Sequence, residues 1–306
     1  DYTYIFDSGY EPMTLRQWNA MPSDRQTMAL RELKAAWTEK IDALLVGINE
    51  YEDRDMMEAM QHARVYDDLK RPDDAVRVVR GYLESREAVE IEEVLVAAQF
   101  FIGLDRVMEA AELLLASRRF QNDDSREVDY ALGMMHYNSG TIRQCIPYFR
   151  SVLEARSSEL VEDRLVQALV RTQKFQEARQ ILEGIQSDVG MNYRTYMLTA
   201  ILEKARVDAA IAVGDSEVEA EARKQYLSYL EQANVLDPER LTPYISLADS
   251  LLEDYSMRRE PALLDQALAV VSRGIDRLPE SASLVAKRAD ILEARGDLNA
   301  AIMDLE

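Results

Sequence analysis

Apolar residues along most of the chain recur at spacings of three and four, in segments separated by short polar breaks. This spacing places apolar side chains on one face of an α-helix. An early segment that begins near Ser23 carries Leu30, Trp37 and Ile41 in this way. The pattern predicts a helix across residues 23–54, followed by many shorter helices that pack in pairs.

The helical segments repeat with a nearly constant period. A small residue follows an acidic or polar residue near the start of every second segment, with spacings of 33 to 35 residues over the first four and the last two copies. A period of this length is typical of stacked helical hairpins. The small residues are Ala75, Ala110, Cys145, Ala178, Ala267 and Ala301.

A second small residue lies twelve positions earlier where the turn between the two helices is short. Two antiparallel helices that cross closely exclude side chains much larger than a methyl group. We therefore expect each pair of small residues to mark a close crossing. The earlier members are Ala63, Ala98, Gly133 and Ala289, with Val166 as a larger exception.

These anchors resemble the tetratricopeptide repeat family, whose unit of about 34 residues pairs two helices. The family's Leu-Gly pair occurs here as Leu132-Gly133, its Gly-Asp turn as Gly296-Asp297, and its closing proline as Pro238. The resemblance covers residues 55–306, although the family's tryptophan is missing from every unit. It implies an all-α fold, a right-handed α-solenoid of antiparallel helical hairpins, that binds other proteins.

The repeat also predicts how the chain is organised. Residues 1–22 form an aromatic-rich arm, residues 23–54 form an N-terminal capping helix, and residues 55–306 form about seven hairpins. The fifth hairpin, 189–238, has helices about two turns longer than the others and is expected to protrude. The last hairpin stops at Glu306 before its second helix is complete, so we expect the parent protein to continue.

The charge of the chain narrows the class of partner. Its 56 acidic and 36 basic residues give a net charge of −20, which opposes nucleic acid as a principal partner because phosphate binding needs a basic face. Cys145 is the only cysteine, so an intrachain disulfide is impossible. No apolar run approaches the roughly 20 residues that a membrane-spanning helix requires.

Residue patterns typical of catalysis do not occur. The two histidines, His62 and His136, lie in first helices of different units without a partner at metal-ligand spacing. There is no glycine-rich phosphate loop and no nucleophile motif. We expect a protein that is not an enzyme and that holds neither a metal nor a cofactor.

The resemblance implies a binding groove lined by the first helix of each hairpin. The family's carboxylate-binding pair of lysine and asparagine is absent from the matching positions, so a C-terminal carboxylate is not the expected ligand. Instead, the matching positions are rich in tyrosine and methionine, which suit adaptable contact surfaces. They are Met60, Arg64, Leu95, Gln99, Tyr130, Met134, Tyr137, Asn138, Asp163, Gln167, Arg171, Met197 and Ile201.

Two occupants of this groove are possible from the sequence. One is a peptide or helix of another protein, with Tyr130 and Tyr137 as anchors and Arg171 as a polar guide. The other is the aromatic arm 1–22, which can fold onto its own hairpins or mediate self-association. The alternative for the tyrosines is that they only pack against neighbouring hairpins.

The leading functional interpretation is a scaffold within a longer protein or complex. The start without Met, the incomplete last helix and the single cysteine favour a bacterial periplasm or envelope, and the chain resembles the acidic tetratricopeptide arrays that precede other modules of export or assembly proteins there. The alternative is a cytosolic regulator or co-chaperone-type adaptor. A third reading makes the array the substrate-delivery module of an enzyme located beyond Glu306.

Overall fold

The computed structural model of the protein describes residues 22–28, 30–32, 35, 38–40, 55–122 and 126–305. The described residues form helices that are joined by turns and loops. The aromatic arm lies outside the described residues except for Pro22, as does the part of the capping helix predicted over 41–54. Within 23–40, every described residue is helical.

The chain divides into two compact units, Asp1–Ala110 and Ala111–Glu306, and the division falls within one helix. The first unit holds the helical residues of 23–40, three complete helices and the beginning of a fourth. These helices are α1 (Met56–Asp68), α2 (Pro72–Glu84), α3 (Ile91–Gly103) and α4 (Val107–Ser117).

The second unit begins with the remainder of α4 and a 3₁₀ turn at Arg118–Phe120, and continues with ten further helices. In chain order they are α5 (Glu127–Asn138), α6 (Ile142–Ala155), α7 (Glu159–Arg171), α8 (Phe175–Val189), α9 (Tyr193–Val213), α10 (Ser216–Leu236), α11 (Leu241–Arg258), α12 (Pro261–Arg277), α13 (Ala282–Arg295) and α14 (Leu298–Leu305). Consecutive helices form hairpins, so the predicted all-α fold of helical hairpins is confirmed.

Each turn inside a hairpin contains one residue with left-handed backbone geometry. Glycine occupies this position in three of the seven described turns, and Lys70, Asp105, Gln173 and Arg259 occupy it in the others, with φ between 56° and 61°. In the first turn the Arg71 amide donates to the Tyr66 carbonyl at 2.8 Å, which closes the end of α1. The left-handed residue thus reverses the chain while satisfying a carbonyl group at the helix end.

The small residues of the repeat lie where the sequence predicts close crossings. Ala75, Cys145, Ala178 and Ala267 are completely buried, and Ala63 in α1 is as well. Phe149 of α6 lies directly against the backbone of Gly133, so that a Cβ atom there would be 2.6 Å from the ring. Small side chains therefore allow the two helices of each hairpin to approach.

The second unit contains two clusters of buried apolar residues. One is built from helices α6 to α9 around Phe149 and Leu165, and the other from α9 to α13 around Leu247 and Leu284. Residues of α9 contribute to both clusters, Leu202 to the first and Ala200 to the second. These clusters position the first helices on which the candidate site residues lie.

Candidate functional site

In the first unit, the residues predicted for the groove surround a single depression of about 560 Å³ between α1 and α3. Its apolar lining comes largely from the side chains of α3, and its polar lining from both helices. The lining residues are Met60, Arg64, Asp67, Leu95, Val96, Gln99, Phe100, Gly103 and Leu104.

Helical periodicity explains why these residues share one surface. Met60 and Arg64 are four residues apart on α1, and Leu95, Gln99 and Gly103 are spaced by four on α3. Residues with this spacing lie one above the other on a helix. Gly103 lacks a side chain, and no atom lies within 4 Å of the position where its Cβ would be. The missing side chain of Gly103 therefore leaves room at one end of the depression.

In the second unit, Tyr137 of α5 lies at the centre of a polar and aromatic cluster. Its hydroxyl donates a hydrogen bond to the Gln167 side-chain oxygen at 2.6 Å. The guanidinium groups of Arg164 and Arg171 lie 5.0 and 5.6 Å from the centre of its ring, within the range of cation–π attraction. The structure therefore brings together three predicted residues, Tyr137, Gln167 and Arg171, on α5 and α7.

The apolar candidates of the second unit are half-buried. Tyr130, Met134 and Ile201 pack against the first core cluster, whereas Met197 packs against the second. Asn138 is exposed at the end of α5. The four half-buried side chains stabilise the contacts between hairpins and also present part of their surface to solvent.

Asp163 is held by an arginine that the repeat pattern does not predict. Arg194 of α9 donates to the Asp163 carboxylate at 2.7 Å, to Glu162 at 2.7 Å and to the Glu159 carbonyl at 3.0 Å. Burial nevertheless raises the pKa of Asp163, against the opposing effect of Arg194. Asp163 therefore ties α7 to α9. Arg194 and Arg164 lie outside the matched repeat positions, so the family pattern gives no signal for either.

Within the described ranges, no group of three or more His, Cys, Asp or Glu side chains is placed to hold a metal ion. Among the helices described, none combines the length and the apolarity needed to cross a membrane.

No protein-family model matches this sequence, and no curated protein is significantly similar to it. Solved structures do match its fold. A tetratricopeptide repeat protein from Parabacteroides merdae ATCC 43184 aligns over 81% of this chain and 90% of its own, with 14% identity and a TM-score of 0.53. The C-terminal part of a TPR repeat-containing protein from Cytophaga hutchinsonii aligns over 82% and 94%, with 13% identity and a TM-score of 0.51.

At these identities the similarity concerns the fold alone. The similarity does agree with the repeat anchors, with the buried small residues at the hairpin crossings and with the left-handed turns. The chain therefore has the fold of tetratricopeptide repeat proteins.

Proposed function

We propose that this chain is a non-catalytic interaction scaffold that binds a peptide or helix of a protein partner on the first helices of its hairpins. The observation that carries the proposal is the depression between α1 and α3. Four residues selected by repeat position alone, Met60, Arg64, Leu95 and Gln99, line this one depression.

The lining of the depression indicates the chemistry of the ligand. Leu95, Val96, Phe100 and Leu104 offer apolar surface, so an apolar side chain gains free energy by leaving water there. Arg64 and Gln99 also line the depression and are exposed, so they can donate hydrogen bonds to a peptide backbone. This combination of apolar floor and few polar groups is common in ligand-binding sites.

In the second unit, we propose that Tyr130 and Met134 make the direct contacts and that Arg171 guides polar groups of the ligand. Tyr137 acts differently from a free anchor, because its hydroxyl already bonds Gln167 and its ring contacts two arginines. We assign to Tyr137 the role of orienting Arg171. Replacing Tyr130 with alanine removes contact area, whereas Tyr137→Phe removes only the hydrogen bond to Gln167.

A substitution at the mouth of the depression tests the proposal. Val96 is 47% exposed and lines the depression, and Val65 is 39% exposed and does not. Val96→Glu places a carboxylate on the apolar lining, so we expect it to abolish binding. Val65→Glu makes the same chemical change on α1 and should bind as the wild type does.

The measurement is binding of short random peptides displayed on phage and selected on the wild-type chain. Selected peptides are then titrated against both variants, and circular dichroism verifies that each variant remains helical. Loss of affinity with Val96→Glu alone supports the proposal. Equal affinity of both variants for every selected peptide refutes the assignment of the depression as the binding site.

The remaining components of the proposal concern partner and compartment. A net charge of −20 favours protein over nucleic acid as the partner, because phosphates are repelled. We propose a bacterial envelope assembly as the setting, with a cytosolic adaptor as the alternative. An upstream signal peptide in the full gene would support the first and its absence the second. Deleting residues 1–22 and measuring mass in solution tests self-association through the arm.

A further inference from the structure

The helices of the α9–α10 hairpin are longer than those of the two adjacent hairpins. Each has 21 residues, whereas α7 and α8 have 13 and 15, and α11 and α12 have 18 and 17. At 1.5 Å per residue, three to eight additional residues lengthen a helix by about 5–12 Å. All residues from 211 to 218 are exposed, so the additional length extends beyond the packed part of the hairpin. We call residues 208–221 the hairpin tip.

The hairpin tip exposes apolar side chains. Val213 is 79% exposed, Ile211 45% and Val218 38%, and these three lie on both sides of the turn at Gly214. Single exposed apolar residues are common on protein surfaces, whereas three within eight residues at one end of a hairpin are suited to contact with another protein. The turn itself is specified by Gly214 and by the Asp215 side chain, which accepts a hydrogen bond from the Val218 amide.

The charge of the hairpin tip has one sign. Five carboxylates lie between positions 208 and 221, and no lysine or arginine does. Two of these carboxylates pair with cations just below the tip, Asp208 with Lys204 and Glu219 with Arg223. The next hairpin turn, by contrast, carries Arg258 and Arg259. The hairpin tip is therefore more acidic than the turn of the next hairpin.

Ion pairs hold the residues just below the hairpin tip against α11. Arg223 of α10 contacts Asp254 at 2.5 Å, and both side chains are almost completely buried. Lys204 of α9 contacts Glu253 at 2.6 Å. A buried ion pair tolerates little displacement, because separating its members leaves desolvated charges without a partner. These contacts fix the direction in which the hairpin tip points within the second unit.

We propose that the hairpin tip is a second docking surface, which inserts Ile211, Val213 and Val218 into an apolar cleft with a basic rim on a protein partner. The apolar side chains gain free energy on burial, and the surrounding carboxylates are complementary to lysine and arginine at the rim. An anionic lipid surface or a nucleic acid is disfavoured by the same carboxylates. The hairpin tip belongs to the second unit, and the depression between α1 and α3 belongs to the first.

Site-specific photo-crosslinking tests the proposal with the full chain. Benzoylphenylalanine is placed at position 213 and, as a matched control, at position 257, because Met257 is 54% exposed near the turn of the next hairpin. The expected result is a crosslink from position 213, and not from 257, to a discrete partner protein. Mass spectrometry of the crosslinked peptide should locate it on an apolar surface bordered by lysine or arginine.

Two sets of variants then measure the contribution of each feature with the identified partner. Val213→Ser and Val218→Ser should each weaken binding by about ten-fold, since each removes one buried apolar side chain. Glu217→Gln combined with Glu221→Gln should weaken binding further at low salt and much less at high salt. These positions are exposed, so the helical circular dichroism and the melting temperature should remain unchanged.

Several results would overturn the proposal: no crosslink above the level at position 257, a crosslink to a second copy of this chain, or an acidic partner surface. Binding of the chain to vesicles containing phosphatidylserine, lost with Val213→Ser, would also overturn it in favour of a membrane contact. The Val96→Glu variant distinguishes the two proposals, because it should leave the crosslink at position 213 unchanged.

Discussion

The close crossing of α5 and α6 leads to a sharp prediction about Gly133. In Gly133→Ala, the new Cβ atom would lie 2.6 Å from both Cδ1 and Cε1 of Phe149. Carbon atoms in contact prefer separations of about 3.5–4.0 Å, so the ring or a helix must move by about 1 Å. Phe149 is completely buried, and the ring of Tyr137 lies 6.3 Å from its centre. The ring therefore has little space into which it can move.

Two opposing contributions determine the size of the effect. Overpacking of a buried site costs about 1–3 kcal/mol, whereas replacing glycine by alanine inside a helix gains about 0.5–1 kcal/mol. We expect Gly133→Ala to lower the free energy of unfolding by about 0.5–2 kcal/mol. Gly184→Ala is the control, since no atom lies within 4 Å of its Cβ position in α8. That substitution should raise the free energy of unfolding by about 0.5–1 kcal/mol.

The assay is equilibrium unfolding in urea, followed by the circular dichroism of the helices. A third variant tests the cause directly, because Phe149→Leu removes the ring that the new methyl group would contact. In that background, adding Gly133→Ala should become neutral or stabilising. Equal effects of the alanine substitutions at positions 133 and 184, or a failure of Phe149→Leu to relieve the loss, would refute the steric explanation.

Three further predictions concern single groups of the second unit. Burial raises the pKa of the Cys145 thiol to about 11, so iodoacetamide should label it at pH 8 only in denaturant, as mass spectrometry would show. Burial alone would raise the pKa of Asp129, but hydrogen bonds led by that of Arg118 lower it below its ordinary value of 3.8. The stability lost in Asp129→Asn should therefore be greatest above pH 4 and should disappear as the pH falls through the lowered pKa, in urea titrations at each pH. Gly140→Ala should cost about 1 kcal/mol in the same assay, because φ there is +80° and the cost is conformational.

The hairpins were predictable because the small size of the residues at each helix crossing is their main determinant. Ala63 and Ala75 are buried without exposed area, and the twelve-residue spacing between them is visible in the sequence. The turns were only partly predictable. Glycine predicts the left-handed conformation at positions 140 and 296, but the lysine at position 70 does not. Its conformation depends on the hydrogen bond that closes the helix end, which side-chain chemistry does not encode.

The grouping of the candidate side chains was predictable where repeat position determines it and unpredictable where polar partners do. Met60 and Leu95 were selected by their repeat positions, and both line the depression. The environment of Tyr137 depends instead on Arg164, which lies two helices further along the chain. A repeat pattern averages over units and therefore contains no information about pairs that occur in only one of them.

Such unit-specific pairs recur through the second unit. Asp129 is completely buried and accepts hydrogen bonds from Arg118 and from Ser151 of α6. Glu203 of α9 is 2% exposed and is paired with Arg179 of α8. Each pair consists of one buried carboxylate and one arginine, and each joins a helix to an adjacent element. Only the carboxylate of each pair is desolvated, because the side chains of Arg118 and Arg179 are 45% and 43% exposed.

These pairs distinguish one neighbouring helix from another, which the small residues at the crossings do not. Because alanine crossings are nearly the same in every hairpin, they stabilise any neighbour equally and do not determine which hairpins adjoin. Asp129 accepts from Ser151 only when α6 lies beside α5, and Glu203 gains Arg179, in addition to Arg206 of its own helix, only when α8 lies beside α9. The crossings therefore recur in every hairpin, whereas these polar contacts favour the native neighbour. Arg179→Ala should lower the free energy of unfolding in urea by only about 0.2–1 kcal/mol, because Arg179 is partly exposed and Arg206 remains paired with Glu203.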